Sequence, residues 1–220
     1  MTEMFDCTDP AQRETGIASA VSALKGGRLI VMPTDTVYGI GADAFDGSAV
    51  AALLSAKGRG RDMPVPVLVG SWHTIQGLVY TVPQTAQELI RAFWPGALSL
   101  VVRQAPSLQW DLGDANGTVM LRMPLHPVAI ELLREVGPMA VSSANISGRP
   151  AAVTAAQARD QLGDLVEVYL DGGPAEQQAA STIVDLTGAH PRVLREGPVS
   201  IDAIAGVLGV EAAGLVPAAE

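Results

Sequence analysis

Apolar positions recur along this chain in two periods, and the switches between them divide it into elements. Asp9-Pro10-Ala11-Gln12 combines a capping residue, a proline at the first helical position and a glutamine placed for a capping box; Ile17, Ala20, Val21 and Leu24 then keep helical spacing up to Gly26-Gly27. The pattern predicts a first helix there. Leu29 to Met32 is a short apolar run that reads as a strand, and Val50, Leu53 and Leu54 after Asp46-Gly47 mark a second helix ending near Gly58. Val65 to Val69 reads as a strand. Pro83 opens a helix with Ala86, Leu89, Ile90 and Phe93 on its apolar face, and Trp94-Pro95-Gly96 ends it before the strand Leu98 to Val102.

The alternation continues through a strand at Thr118 to Met123, a helix at Pro127 to Val136 and a strand at Met139 to Ser142. Thr154 with Gln157 forms a second capping-box pattern. Val166 to Leu170, Thr182 to Leu186 and Arg192 to Glu196 read as strands, and Ser200 caps a last helix bearing Ile201, Ile204, Ala205 and Leu208. Residues 1–209 are expected to form one domain, followed by a loose tail from Val210 that is rich in Ala, Gly and Pro. Such an alternation argues for an α/β or mixed α+β fold in which helices cover a sheet and ligands sit at strand ends.

Three segments carry the candidate chemistry. The strand at Leu29 to Met32 empties into Pro33-Thr34-Asp35-Thr36-Val37-Tyr38-Gly39-Ile40-Gly41, dense in hydroxyls and glycine. Thr34, Thr36 and Tyr38 alternate, so a persisting strand would turn all three hydroxyls to one side, where burial without partners would be costly. The second segment is Lys57-Gly58-Arg59 at a helix end. Lys57 follows Leu53 by four and Leu54 by three, which places its stem on the core face and its ammonium at the rim of the sheet. Arg59 can present a planar fork to phosphate or carboxylate. The third is Ser143-Ala144-Asn145-Ile146-Ser147-Gly148, whose hydroxyl and amide suit phosphate or sugar. Each has a plainer reading: a helix C-terminus complementing its dipole, hydroxyls that only brace loops, and an Asx or Ser turn.

Composition narrows the partners. The 220 residues carry a formal net charge of −9, with 48% hydrophobic residues. That acidity argues against a broad nucleic-acid surface and against RNA as a direct ligand, since such affinity comes from clustered Lys and Arg. Local basicity remains at Lys57, Arg59 and Arg61 and at Arg122, Arg149 and Arg195, which suits a pocket for a small anion. Cys7 is the only cysteine and the three histidines are scattered, so no disulfide and no zinc spacing is read; no leader or membrane segment is apparent, and a cytoplasmic protein is expected. There is no P-loop and no GxGxxG, so a nucleotide must be held another way. Asp35, Asp43 and Asp185 read as solvated loop carboxylates, and no residue is assigned as a metal ligand. His126 reads as a loop or helix-start residue and not as the base of a serine nucleophile.

The segments from Pro33 to Gly41, Lys57-Gly58-Arg59, Phe93-Trp94-Pro95-Gly96, Arg122-Met123-Pro124 and Ser143 to Gly148 together resemble the YrdC-like threonylcarbamoyl-AMP synthases, in order and spacing, from about residue 13 to about residue 208. The resemblance implies a YrdC-like, dihydroxybutanone-phosphate-synthase-like fold with an open, twisted, mostly-β sheet flanked by helices. It implies formation of threonylcarbamoyl-AMP and pyrophosphate from L-threonine, bicarbonate and ATP, with Mg2+ held mainly by the ATP phosphates. A partner transferase would then pass the threonylcarbamoyl group to the tRNA adenosine beside the anticodon.

By similarity, Lys57, Arg59, Ser143 and Asn145 form the catalytic set, Thr36, Arg122 and Ser181 contact threonine, and Arg59, Thr118, Ser143 and Arg195 contact the nucleotide. Departures from the family pattern are Gly60 for a usual proline, Met63 for a polar residue before Pro64, Leu68 where some members have histidine, and Ala151 for a common serine. Arg59 to Pro66, charged and then proline-rich, is the candidate lid. Other readings are a carbamoyl-adenylate step like that of hydrogenase maturation, an RNA-binding or ribosome-assembly module, and a nucleotide-binding scaffold without catalysis.

Overall fold

The computed structural model describes residues 2–216. Asp9 caps the first helix, α1 (Pro10–Lys25), its Oδ1 accepting from the amides of Ala11 and Gln12 at 2.9 Å. Gln12 does not close the box. Its Oε1 accepts from the Asp6 amide at 3.3 Å and ties the helix to a strand, β1 (Glu3–Asp6), that the apolar pattern does not foreshadow. The elements that follow are β2 (Ile30–Met32), β3 (Gly39–Asp43), α2 (Gly47–Ala56), β4 (Val67–Leu68), α3 (Gln84–Phe93), β5 (Leu98–Arg103), β6 (Thr118–Arg122) and α4 (Pro127–Val136). Then come β7 (Met139–Ser143), α5 (Ala155–Leu162), β8 (Val168–Asp171), β9 (Thr182–Asp185), β10 (Arg192–Arg195) and α6 (Ile201–Leu208).

The strands form one ten-stranded sheet in the order β1-β8-β2-β3-β7-β4-β6-β5-β9-β10. Parallel pairs such as β2/β8 and β5/β9 mix with antiparallel ones such as β3/β7 and β5/β6. Period-two alternation along each strand sends side chains to two separate cores. Ile30 and Met32 pack with Ile17, Leu24, Leu132 and Leu133 of α1 and α4, while Val31 between them joins the core containing Leu53 of α2 and Leu89 of α3. Helices therefore cover both faces.

Coverage of the α1/α4 face is incomplete, and that creates the site. Val141 of β7 and Leu68 of β4 belong to this core, but the residues on the same face farther along the sheet, Met120 of β6, Ser99 of β5 and Ile183 of β9, belong to neither core. No helix lies over them, and they floor a cleft. At the chain end Ala212–Leu215 forms a 3-10 turn, and Leu215 is buried in the core that contains Ile204 and Ala205 while Val210 and Val216 are exposed; residues 217–220 lie outside the described residues. Among the described residues no helix is long and apolar enough to cross a membrane.

Candidate active site

The cleft holds a cavity of about 290 Å³ over the exposed sheet face, bounded by Thr36, Arg59, Arg122, Ser143, Ser181 and Arg195 among others. Six of the nine residues implied by resemblance thus converge from six separate segments. Lys57, Asn145 and Thr118 do not border it. Leu68, Met120, Val141 and Ile183 supply apolar walls.

The hydroxyl-rich segment after β2 does not continue as a strand, and its hydroxyls part company. Tyr38 lines the cavity but its side chain is buried in the core, its hydroxyl donating to the Gly173 carbonyl at 2.6 Å and lying 3.1 Å from Asp171 Oδ1, and burial pushes its pKa up. Thr36 faces Arg122, accepting from its NH1 at 2.8 Å. Asp35 is not solvated. It is 4% exposed and accepts from Arg122 NH2 at 2.5 Å and from the Leu125 amide at 2.8 Å. Arg122 Nε donates to the Gly96 carbonyl at 2.9 Å, which leaves two of the five guanidinium N–H groups without a protein acceptor. Burial lowers the pKa of Arg122 and the Asp35 carboxylate opposes that shift. Asp43 accepts from the Phe45 amide, and Asp185 pairs with Arg192 at 3.2 Å.

Lys57 goes deeper than the rim. It is fully buried, and its Nζ donates to the Ser143 carbonyl and, at 2.8 Å, to the Asn145 carbonyl. Asn145 in turn donates its amide to the carbonyls of Ile146 at 3.0 Å and Arg149 at 2.7 Å. Lys57 and Asn145 therefore shape the Ser-Ala-Asn turn, and of the set Arg59 and Ser143 are presented to the cavity.

Burial, reinforced by the Arg59 charge, lowers the Lys57 pKa to about 8. In the unfolded chain the group would titrate near the ordinary lysine value of about 10.4, so unfolding takes up a proton between about pH 8 and 10. The penalty on the buried charge is complete below pH 8 and is relieved as pH rises through that window. Wild-type stability should accordingly rise relative to Lys57→Met between pH 8 and 10, as followed by chemical denaturation at each pH. A difference that stays flat would place the Lys57 pKa near its usual value.

Arg59 has no carboxylate or carbonyl partner for its guanidinium among the described residues, and its Nε is buried without an acceptor. An unpaired cation facing a cavity is costly unless an anion fills it. Arg195 donates from Nε and NH2 to the Ser181 carbonyl at 3.0 and 2.7 Å, and Ser181 Oγ lies 2.8 Å from Ser99 Oγ. Thr118 shares the cleft face of β6 with Met120 and Arg122, one step beyond the cavity, and donates to the Ala115 carbonyl at 2.7 Å. In the loop from Arg59 to Pro66, Arg61 makes a solvent-exposed, two-pronged ion pair with Asp111 at 2.8 and 2.9 Å, and Val65 donates to the Leu112 carbonyl at 2.9 Å. Met63 and Pro64 from this loop reach the cavity.

Among the described residues no group of three or more His, Cys, Asp or Glu is placed to hold a metal ion, and no carboxylate borders the cavity. The lining is cationic and hydroxylic, which suits an anionic ligand carrying its own counterion. His126 occupies the capping position of α4, as its neighbour Pro127 suggests, without a side-chain cap bond.

A family model described as telomere recombination, covering Sua5, YciO and YrdC, matches residues 22–197. Putative threonylcarbamoyl-AMP synthases of Mycobacterium tuberculosis and Mycobacterium leprae are 81% and 79% identical, each over 98% of this chain and 99% and 98% of the relative. The crystal structure of Pyrococcus abyssi Sua5 complexed with L-threonine superposes with a TM-score of 0.85 at 35% identity, over 88% of this chain and 57% of the other. Escherichia coli YciO shares the fold at a TM-score of 0.81 and 24% identity, over 93% of this chain and all of the other.

Proposed function

The chain belongs to the Sua5/YciO/YrdC family, and from that premise we propose that its cleft joins L-threonine, bicarbonate and ATP into threonylcarbamoyl-AMP and pyrophosphate. It is a nucleotidyltransferase that serves threonylcarbamoyl modification of tRNA. The observation that carries this reading is the charge of the cavity: Arg59, Arg122 and Arg195 border it, and Asp35 behind Arg122 is the only carboxylate joined to any of them among the described residues.

The reaction explains why such a cavity is needed. Threonine amine and bicarbonate give a carbamate and water. A carbamate oxygen must then form a bond to the α-phosphorus of ATP while the bond to pyrophosphate breaks. Two anions have to meet, so the site must suppress their repulsion and align the attack, and fixed cations in a partly closed cavity do both. The two free N–H groups of Arg122 take the amino-acid carboxylate, with Thr36 and Ser181 beside it. Arg59, Ser143 and Arg195 hold the nucleotide, and Thr118 lies along the same strand face for its outer part. Lys57 and Asn145 act by fixing the turn that presents Ser143. Mg2+ bound to the ATP phosphates would neutralise part of their charge, and no residue of this chain is assigned to hold it.

The acidic balance of the chain disfavours direct tRNA contact, so the product passes to a separate transferase. The test is the product itself. Incubation with ATP, Mg2+, threonine and isotopically labelled bicarbonate should yield threonylcarbamoyl-AMP carrying the label, read by mass spectrometry; AMP or ADP alone would contradict the proposal.

A further inference from the structure

The hydroxyl chain in the cavity wall has a fixed direction, because each of its protons can be counted. Thr34 Oγ1 lies 2.6 Å from the Val37 carbonyl, which can only accept, so the single Thr34 hydroxyl proton is committed there. Thr34 and Thr36 Oγ1 stand 3.0 Å apart, and with the Thr34 proton spent, Thr36 must donate in that bond. The Thr36 amide fills the other acceptor position of Thr34 at 3.2 Å. Arg122, a donor only, gives an NH1 hydrogen to Thr36 Oγ1 at 2.8 Å. Thr36 is therefore left with no proton for a ligand and with one unused lone pair, at the border of the cavity.

We propose that Thr34 is a positioning residue for the amino acid: by taking the Thr36 proton it fixes Thr36 as an acceptor for the substrate N–H, beside the Arg122 donors for the carboxylate. The inference rests on the cleft being an amino-acid site. It matches the chemistry at each stage, since the ammonium, the free amine and the carbamate all carry at least one N–H. A Thr36 hydroxyl free to rotate would serve a ligand oxygen equally well. Held by Thr34, it favours a nitrogen donor and leaves a ligand with no hydrogen at that place unpaired.

The test is a cycle of proteins and ligands: wild type, Thr34→Val and Thr34→Ser against L-threonine and the 3-hydroxybutanoate of matching configuration, which lacks only the amine. Dissociation constants are read by calorimetry, with ATP as the control ligand and the melting midpoint as the check on folding. Wild type and Thr34→Ser should prefer threonine by about tenfold or more, the worth of one hydrogen bond to a charged group. Thr34→Val should narrow that preference to about threefold or less with ATP affinity unchanged, and Thr34→Ala should do the same if valine disturbs the fold. A valine variant that keeps the wild-type preference, in a protein that still makes threonylcarbamoyl-AMP, overturns the inference and leaves the synthase reading intact. A collapsed preference in a protein whose wild type makes no such product supports the inference and sinks that reading instead.

Discussion

Arg59→Ala is expected to lower the rate of pyrophosphate release by about two to three orders of magnitude, the usual cost of losing a fixed donor at developing charge. The melting midpoint should stay near that of wild type. Both halves follow from the same observation: the half-buried Arg59 guanidinium makes no bond to the described residues, so the fold loses no partner when it goes, while the cavity loses a cation that no described carboxylate or carbonyl engages. Removing an unpaired charge relieves a desolvation cost and does not create one. Steady-state turnover and thermal melting on the same preparation check it. Turnover near wild type would remove Arg59 from the chemistry, and a large fall in the midpoint would assign it to the scaffold. Lys57 offers no such separation, because its ammonium holds the carbonyls of Ser143 and Asn145, and its loss disturbs the turn along with the site.

Asp35→Ala should be the most destabilising substitution in the site. Arg122 is 6% exposed and Asp35 4% exposed, and the change leaves the guanidinium buried without its counter-charge and the Leu125 amide without its acceptor. Breaking a buried pair from one side costs about 3–5 kcal/mol, which for a chain of this size lowers the melting midpoint by on the order of 10 °C. Replacing both partners, as in Asp35→Ala with Arg122→Met, should recover much of the loss, since an apolar pair of similar volume is often neutral. Chemical denaturation of the three proteins measures this. A single-variant loss below about 1 kcal/mol would mean that the pair contributes little, as exposed pairs do.

Most helices were legible because their signals are local. Asp9, Asp46, Thr154 and Ser200 each accept from amides at the start of the helix that the sequence assigns to them. Strand β3 was not, for a physical reason. Its sequence Gly-Ile-Gly-Ala-Asp lacks the β-branched enrichment of a strand, because a Cβ at Gly39 would stand 2.7 Å from Val141 Cγ1 and one at Gly41 would stand 2.5 Å from Met139 Cε. Close approach to β7 favours glycine most at Gly39, where the neighbour is a stiff valine, and propensity cannot register a neighbour about a hundred residues away.

The site divides in the same way. That the hydroxyl-rich turn, the Lys-Gly-Arg segment and the Ser-Ala-Asn turn each end an apolar or helical run was readable from local pattern, and their grouping in one site came from the family resemblance. How their groups pair was not readable. Asp35 meets Arg122 across 87 residues, and the Tyr38 hydroxyl bonds Gly173 while Thr36 bonds Arg122, the segment between β2 and β3 not being a strand. The buried positions of Lys57 and Asn145 likewise depend on α2 and β7 meeting, which strand order decides and local pattern does not.

The central claim is that a cationic cleft couples three substrates in one adenylation. Its most direct measurement is pyrophosphate release by the purified protein with ATP and Mg2+, adding threonine and bicarbonate separately and together, with serine in place of threonine as a control. The account predicts release that requires both co-substrates and falls sharply when serine replaces threonine. Release that ignores either co-substrate, or none under any of these conditions, would contradict it.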